Sequence, residues 1–254
     1  MGQTTAKAAQ GSASNALVLI PAFNEVATVG GIVALVSASG YPVAVVDDGS
    51  TDGTAGSARR AGATVLQLPV NLGVGGALRC GFRWAVARGY STVIQCDADG
   101  QHDPEQIGYL LTVAERVGAD LTIGTRFSGG KGFEATRLRR MAIRQLARVA
   151  SRACGTPITD PSSGFRVIRE PLLSEFAREY GSHYLADTFG ALYESGRAGF
   201  TVLEVPVVMR ARAGGVPSAG SLASVRYLFR ALLTVLLGSG HRYSLPLVGS
   251  AESQ

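Results

Sequence analysis

The stretch Asp97-Ala98-Asp99-Gly100-Gln101-His102-Asp103-Pro104 follows directly on an apolar run, Ser91 to Cys96, and its reading decides the fold. A short apolar run that stops at turn-forming residues reads as a buried strand. A strand that ends in Asp-x-Asp delivers two carboxylates to the carboxyl edge of a sheet, the edge at which open α/β folds bind ligands. Hard oxygen donors at that spacing suit Mg²⁺ or Mn²⁺, and the natural cargo of such a cation is a diphosphate. Asp-x-Asp also occurs in solvated turns, so a second cluster matters: Asp47-Asp48-Gly49-Ser50-Thr51-Asp52 follows another apolar run, Tyr41 to Val46. Two predicted strands therefore end in carboxylates on the same edge.

Outward from this pair, short apolar runs at Ala16–Ile20, Val43–Val46, Thr64–Leu68, Thr92–Cys96 and Leu121–Gly124 alternate with helical patterns at Val26–Ser37, Gly75–Ala87 and Glu105–Val117. That alternation predicts an α/β fold with a mainly parallel central sheet flanked by helices on both faces. After Gly124 the pattern changes: a Gly-rich loop, Ser128–Gly132, a long basic helix, a strand over Phe165–Ile168, more helix, a strand over Val202–Val208, and a last helix from Leu222 to Leu237. The 254 residues, 46% of them hydrophobic, suffice for one large α/β domain with a small appendage. The expected division is a disordered tail at 1–15, a main α/β domain at 16–221, an apolar or amphipathic interfacial helix at 222–238 and a tail at 239–254. The first fifteen residues read as neither a secretory signal nor a membrane anchor. Three scattered cysteines, Cys80, Cys96 and Cys154, lack zinc-site or disulfide-scaffold spacing and fit a reducing cytoplasm. The net charge of +5 is carried by arginine, since Lys7 and Lys131 are the only lysines among 24 basic residues. Such an excess suits phosphate and carboxylate recognition and also follows from codon bias; nucleic acid is not an expected partner.

The loop after the first strand, Pro21-Ala22-Phe23-Asn24-Glu25, carries no Gly-x-Gly-x-x-Gly, which argues against a Rossmann dehydrogenase. A Walker A loop is absent, and so are the Gly-rich loop and Lys with which nucleotidyltransferases hold a triphosphate. Gly73-Val74-Gly75-Gly76 lies after the third strand instead, where a tight turn with close helix packing and a backbone approach to a nucleotide are both open.

Taken in order, Pro21-Ala22-Phe23-Asn24-Glu25, Asp47 to Asp52, Asn71-Leu72-Gly73 with Gly75, Asp97 to His102, Gly124-Thr125-Arg126 and Asp160-Pro161-Ser162-Ser163-Gly164-Phe165-Arg166 resemble the family 2 inverting glycosyltransferases of the GT-A (nucleotide-diphospho-sugar transferase) fold. The subgroup most similar is that of the dolichyl or polyprenyl phosphate mannose and glucose synthases. The resemblance implies that Pro21, Ala22, Phe23, Glu25, Asp48, Gly49 and Gly75 meet the donor nucleotide, with the Asp48 carboxylate suited to ribose hydroxyls. It implies a cation, Mg²⁺ or Mn²⁺, on Asp97, Asp99 and Gln101, with Asp97 facing either the metal or the nucleotide. His102 is a further candidate ligand, although hard cations favour oxygen. Arg126 and Arg212, with Arg210 as the alternative, match phosphate-binding positions of the family. The family's mobile loop usually reads Arg-x-x-Gly-x-Ser-Lys, whereas here Arg212 to Ala219 is longer and lacks the Lys.

The implied reaction moves a hexose from a nucleotide-diphosphate sugar to polyprenyl phosphate on the cytoplasmic face of the membrane. Transfer to a hydroxyl of a lipid-linked saccharide or polysaccharide is the alternative, and a non-catalytic nucleotide-sugar-binding module the third. A hydroxyl acceptor needs a base, for which Asp160 and Asp187 are the candidates; Asp187 equally fits a plain helix surface. At 100° per residue, Arg137, Arg140, Arg144, Arg148 and Arg152 fall within an arc of about 120°, a basic face suited either to solvent or to an anionic membrane. The apolar run Ala231–Leu237 is much shorter than the ~20 residues that span a bilayer, so the last helix is expected in the interface, or against a membrane-protein partner or second copy.

Overall fold

A computed structural model describes residues 15–126, 137–181, 186–210 and 243–245. Its strands are β1 (Ala16–Ala22), β2 (Val43–Asp47), β3 (Thr64–Gln67), β4 (Thr92–Gln95), β5 (Leu121–Arg126), β6 (Arg166–Arg169) and β7 (Val202–Val207). The helices are α1 (Val29–Ala38), α2 (Thr54–Arg60), α3 (Gly73–Ala87), α4 (Ile107–Val117), α5 (Arg137–Cys154), α6 (Leu172–Glu179) and α7 (Ala186–Arg197). All seven strands form one sheet in the order β3-β2-β1-β4-β6-β5-β7, parallel except for β6, which runs antiparallel between β4 and β5.

Successive strand residues face opposite sides, so each apolar run feeds two cores. Leu17 and Leu19 of β1 join Phe82 of α3, Leu146 of α5, Phe176 of α6 and Phe189 of α7 on one face. Val18 and Ile20 join Val29 and Ile32 of α1, Ala58 of α2 and Leu110 of α4 on the other. Burial on both faces explains why the strands read as continuous apolar runs, each such side chain contributing about 1.5–3 kcal/mol.

Several boundaries differ from the periodicity: α3 begins at Gly73, two residues before the expected Gly75, β5 runs on to Arg126, and β6 is shifted by one residue to Arg166–Arg169. Helix α1 begins at Val29, not Val26, because Glu25 to Thr28 form a turn whose Thr28 and Val29 N–H groups both donate to the Glu25 carbonyl. The helix expected from Glu105 starts as a 3-10 turn, Pro104–Gln106, with the Asp103 carboxylate accepting from the Glu105 N–H at 3.1 Å. The chain also contains α2, which the sequence pattern did not single out. Arg144, Arg148 and Arg152 of α5 are exposed while Leu146, Ala147 and Ala150 are buried, the expected polarity for that part of the helix. The predicted helix at Leu222 to Leu237 lies outside the described residues, and among those residues no helix is long and apolar enough to cross a membrane.

The topology fixes where a ligand can bind. The chain builds outward from β1 through β2 to β3, then returns to place β4 on the other side of β1. Strand order reverses between β1 and β4, and the crevice beyond the carboxyl ends at such a point is where open α/β sheets hold ligands. Pro21 and Ala22, Asp47 and Asp48, and Asp97 all stand at those ends.

Candidate active site

The loops after β1 and β2 are stitched together by reciprocal hydrogen bonds. The Asn24 N–H donates to Ser50 Oγ at 2.9 Å, and the Thr51 N–H returns one to Asn24 Oδ1 at 3.0 Å. The Glu25 N–H donates to Thr54 Oγ1 at 2.8 Å and the Val26 N–H to Asp52 Oδ2 at 3.1 Å. Burial pushes the Asp52 carboxyl up, but the hydrogen bonds from Thr54 and Val26 prevail and hold it below the usual range. Phe23, 47% exposed, projects from this rigid pair of loops.

Asp48 is buried, and its Oδ1 accepts from the Leu72 N–H at 2.7 Å, tying the turn before α3 to the end of β2. Burial raises its pKa and the charge of Asp47 adds to the rise, while the Leu72 and Gly73 N–H groups pull the other way. Gly49 sits at φ +74°, with the backbone of Val70 and Asn71 within 2.9 Å of where a Cβ would stand. A side chain there would drive the two loops apart. Gly73 adopts φ +80°, and a Cβ on Gly76 would lie 2.6 Å from that of Leu72, so tight turn and close packing are both realised in this segment; Gly75 is buried in the first turn of α3.

Beyond β4, Asp99 is buried and its Oδ1 accepts from the Gln101 N–H at 2.9 Å, closing the turn that carries both. Asp97 remains 39% exposed, and its carboxylate lies against Gly164: a Cβ on that glycine would stand 2.9 Å from Oδ2 and 3.0 Å from Oδ1. The segment Asp160 to Gly164 thus walls the metal candidate, and only glycine leaves the carboxylate room. Asp97, Asp99 and Gln101 together offer oxygen donors alone. Among the described residues no three His, Cys, Asp or Glu side chains gather into a group that could hold a metal ion by themselves.

His102 takes another role. Its ring is buried and stacked on Phe165, centroids 4.8 Å apart. The Asp97 N–H donates to Nδ1 at 2.9 Å, which puts the neutral ring's proton on Nε2, 3.6 Å from Asp97 Oδ2. The ring is thus fastened to the Asp97 backbone, with Nε2 facing the carboxylate at a distance too long for a direct hydrogen bond.

Arg210 is likewise committed, to Asp103 Oδ1 at 2.9 Å and Glu105 at 3.6 Å, while its N–H donates to the Gln101 carbonyl at 2.9 Å. The end of β7 is thereby pinned to the segment bearing Asp99 and Gln101. Arg126 closes β5 in register with Val207; its side chain, that of Asp187 in the first turn of α7, and Arg212 lie outside the described residues.

Asp160 Oδ1 accepts from both the N–H and the hydroxyl of Ser162, at 3.1 and 2.7 Å. Its own N–H donates to Glu204 of β7, which also accepts from the Thr159 N–H and hydroxyl. Glu204 was not among the residues expected from sequence. Its signal was a carboxylate inside the otherwise apolar Val202-Leu203-Glu204-Val205.

Comparisons with known proteins follow this geometry. The profile of glycosyl transferase family 2 matches residues 17–176. Polyprenol monophosphomannose synthase of Mycolicibacterium smegmatis is 33% identical over 210 residues, 79% of this chain and 79% of that protein. Undecaprenyl-phosphate mannosyltransferase of Micrococcus luteus is 33% identical over 205 residues, 75% and 82% of the respective chains. In fold, the chain is similar to glucosyl-3-phosphoglycerate synthase of Mycobacterium tuberculosis, solved with Mn²⁺, uridine diphosphate and glucosyl-3-phosphoglycerate, with a TM-score of 0.64 at 23% identity over 87% of this chain and 79% of that one. Mannosyl-3-phosphoglycerate synthase of Rubrobacter xylanophilus gives 0.66 at 21% identity over 92% and 78%. With the acidic ends of β2 and β4 at one edge of a GT-A sheet and the family's profile matched across them, this chain belongs to glycosyl transferase family 2.

Proposed function

We propose that the protein transfers a hexose from a nucleotide-diphosphate sugar to polyprenyl phosphate, with inversion, at the cytoplasmic face of a membrane. The observation that carries this reading is the meeting of three segments at the switch point: the stitched loops after β1 and β2, the Asp97 to Gln101 turn, and the Asp160 to Gly164 wall. Relatives whose names specify polyprenol or undecaprenyl phosphate, matched over three quarters of the chain, support the acceptor class.

In this mechanism Pro21, Ala22, Phe23, Glu25, Asp48, Gly49 and Gly75 receive the nucleotide, while phosphate binding is assigned to Arg126 and Arg212. Asp97, Asp99 and Gln101 would hold Mg²⁺ or Mn²⁺, which when bound offsets the charge that collects on the departing diphosphate. His102 fastens the Asp97 backbone beside that site. The acceptor oxygen attacks the anomeric carbon from the side opposite the diphosphate, one C–O bond forming as the other breaks. A phosphate monoester has its second pKa near about 6, so a lipid phosphate is already ionised at neutral pH and asks no base of the protein.

The acceptor class is tested at Asp187. With a phosphate nucleophile, Asp187→Asn is expected to cost less than about tenfold in kcat, whereas losing a general base costs about 10²–10⁴-fold. A loss in that larger range with nucleotide-sugar binding unchanged would establish a hydroxyl acceptor instead.

Membrane association rests on the exposed Arg144, Arg148 and Arg152 of α5, each able to contribute about 1 kcal/mol near anionic headgroups. Sedimentation with vesicles is expected to retain the protein on anionic bilayers in low salt and to release part of it near 1 M, where the Debye length is about 3 Å. Equal retention on neutral and anionic vesicles would make the arginine face a solvated one only.

A further inference from the structure

The largest fully buried side chain among the described residues is a cation, Arg166, the first residue of β6. A buried guanidinium is tolerated where its donors are used. Arg166 Nε donates to the Ser163 carbonyl at 2.8 Å and Nη2 to the Thr188 carbonyl at 3.0 Å. Nη1 has no hydrogen-bond partner among the described residues, nor has Oε1 of Gln95, which stands directly opposite Arg166 in the β4 and β6 ladder.

The two carbonyls belong to different parts of the site. Ser163, whose hydroxyl donates to the Gly124 carbonyl, precedes Gly164, the residue against which the Asp97 carboxylate lies. Thr188 follows Asp187 in the first turn of α7. One planar side chain therefore spans from the wall of the Asp97 carboxylate to the helix end that carries Asp187. Its donors are fixed at a set separation, which a lysine ammonium cannot reproduce.

Resting on the glycosyltransferase reading of this edge, we propose that Arg166 is a positioning residue, setting the spacing between the wall behind the Asp97 carboxylate and the first turn of α7 so that donor and acceptor line up for in-line transfer. It touches no substrate; it acts through Ser163 and Thr188.

The test compares Arg166→Lys, which keeps the charge, and Arg166→Gln, which keeps one donor, with the wild type under saturating donor and Mn²⁺. Both are expected to lower kcat by about 30-fold or more, the scale produced by misplacing reacting groups by an ångström. Binding of Mn²⁺ and nucleoside diphosphate, measured by calorimetry, is expected to stay within about threefold, separating alignment from loss of the site. Three results would overturn the proposal: kcat within about threefold of wild type in both variants, turnover and nucleotide binding falling together, or failure of both variants to fold. Wild type that makes no product with polyprenyl phosphate would contradict the acceptor reading alone, because the variant ratios can be taken with whichever acceptor it does use.

Discussion

Asp99→Asn is expected to leave a folded protein whose kcat is lower by about 10²-fold or more, the scale on which a preorganised electrostatic contact to developing charge is lost. The asparagine keeps an oxygen where Asp99 Oδ1 accepts from the Gln101 N–H at 2.9 Å, so the turn after β4 can close as before. What it removes is one unit of negative charge from a donor set of two carboxylates and an amide, where a hard divalent cation depends on that charge. Excess chelator should reproduce the loss in the wild type and add little in the variant. Thermal melting within a few degrees of wild type, together with the kinetic loss, is the expected pattern; full turnover in chelator would contradict it.

Gly164→Ala tests the same site from the opposite wall. The new methyl would stand 2.9 and 3.0 Å from the two Asp97 oxygens, closer than a carbon and a carboxylate oxygen tolerate, so the carboxylate must turn or the Ser163 to Phe165 segment must withdraw. Either movement disturbs the carboxylate whose backbone N–H His102 Nδ1 accepts and whose Oδ2 lies 3.6 Å from His102 Nε2. The half-activating concentration of Mn²⁺ is expected to rise by about 10–100-fold, the loss typical of disturbing groups that orient a metal ligand. Stability should change little, because Gly164 has no left-handed backbone to lose and alanine restricts the unfolded chain, an effect worth about 0.4–1 kcal/mol. Gly31→Ala, in α1 with nothing within 4 Å of its new methyl, is the silent control. Unchanged Mn²⁺ dependence in Gly164→Ala would mean that Asp97 does not face the cation.

How much of this was legible in the sequence follows from the physics of each element. The strands β1, β2 and β4 are buried on both faces, so their apolar runs, and the carboxylates that follow β2 and β4, could be read directly. The antiparallel course of β6 could not: four residues with arginine at each end carry no mark of which neighbours they pair with. The committed state of His102 depends on a backbone N–H of Asp97 and a ring of Phe165, a contact made only in three dimensions. The pairing of Arg210 with Asp103 likewise joins the end of β7 to the segment after β4, across the two intervening strands β6 and β5. Glu204 gave a signal, a charge inside an apolar strand, and Arg166 stands at the start of one, but what they hold, the Thr159 and Asp160 backbone and the Ser163 and Thr188 carbonyls, is set by tertiary packing. The three-residue delay of α1 has a similar cause, since the Glu25 to Thr28 turn is fastened to the β2 loop before the helix begins.

The most direct measurement of the central claim is a donor screen with lipid product detection. The full-length protein, Mn²⁺ or Mg²⁺ and a polyprenyl phosphate are incubated with a panel of nucleotide sugars, and the lipid fraction is read by mass spectrometry. The account expects one donor to yield polyprenyl phosphate carrying a single hexose, with equimolar nucleoside diphosphate released and no product in chelator. Release of nucleoside diphosphate only when a hydroxyl acceptor replaces the lipid phosphate, or hexosyl lipid formed at full rate without a divalent cation, would contradict it.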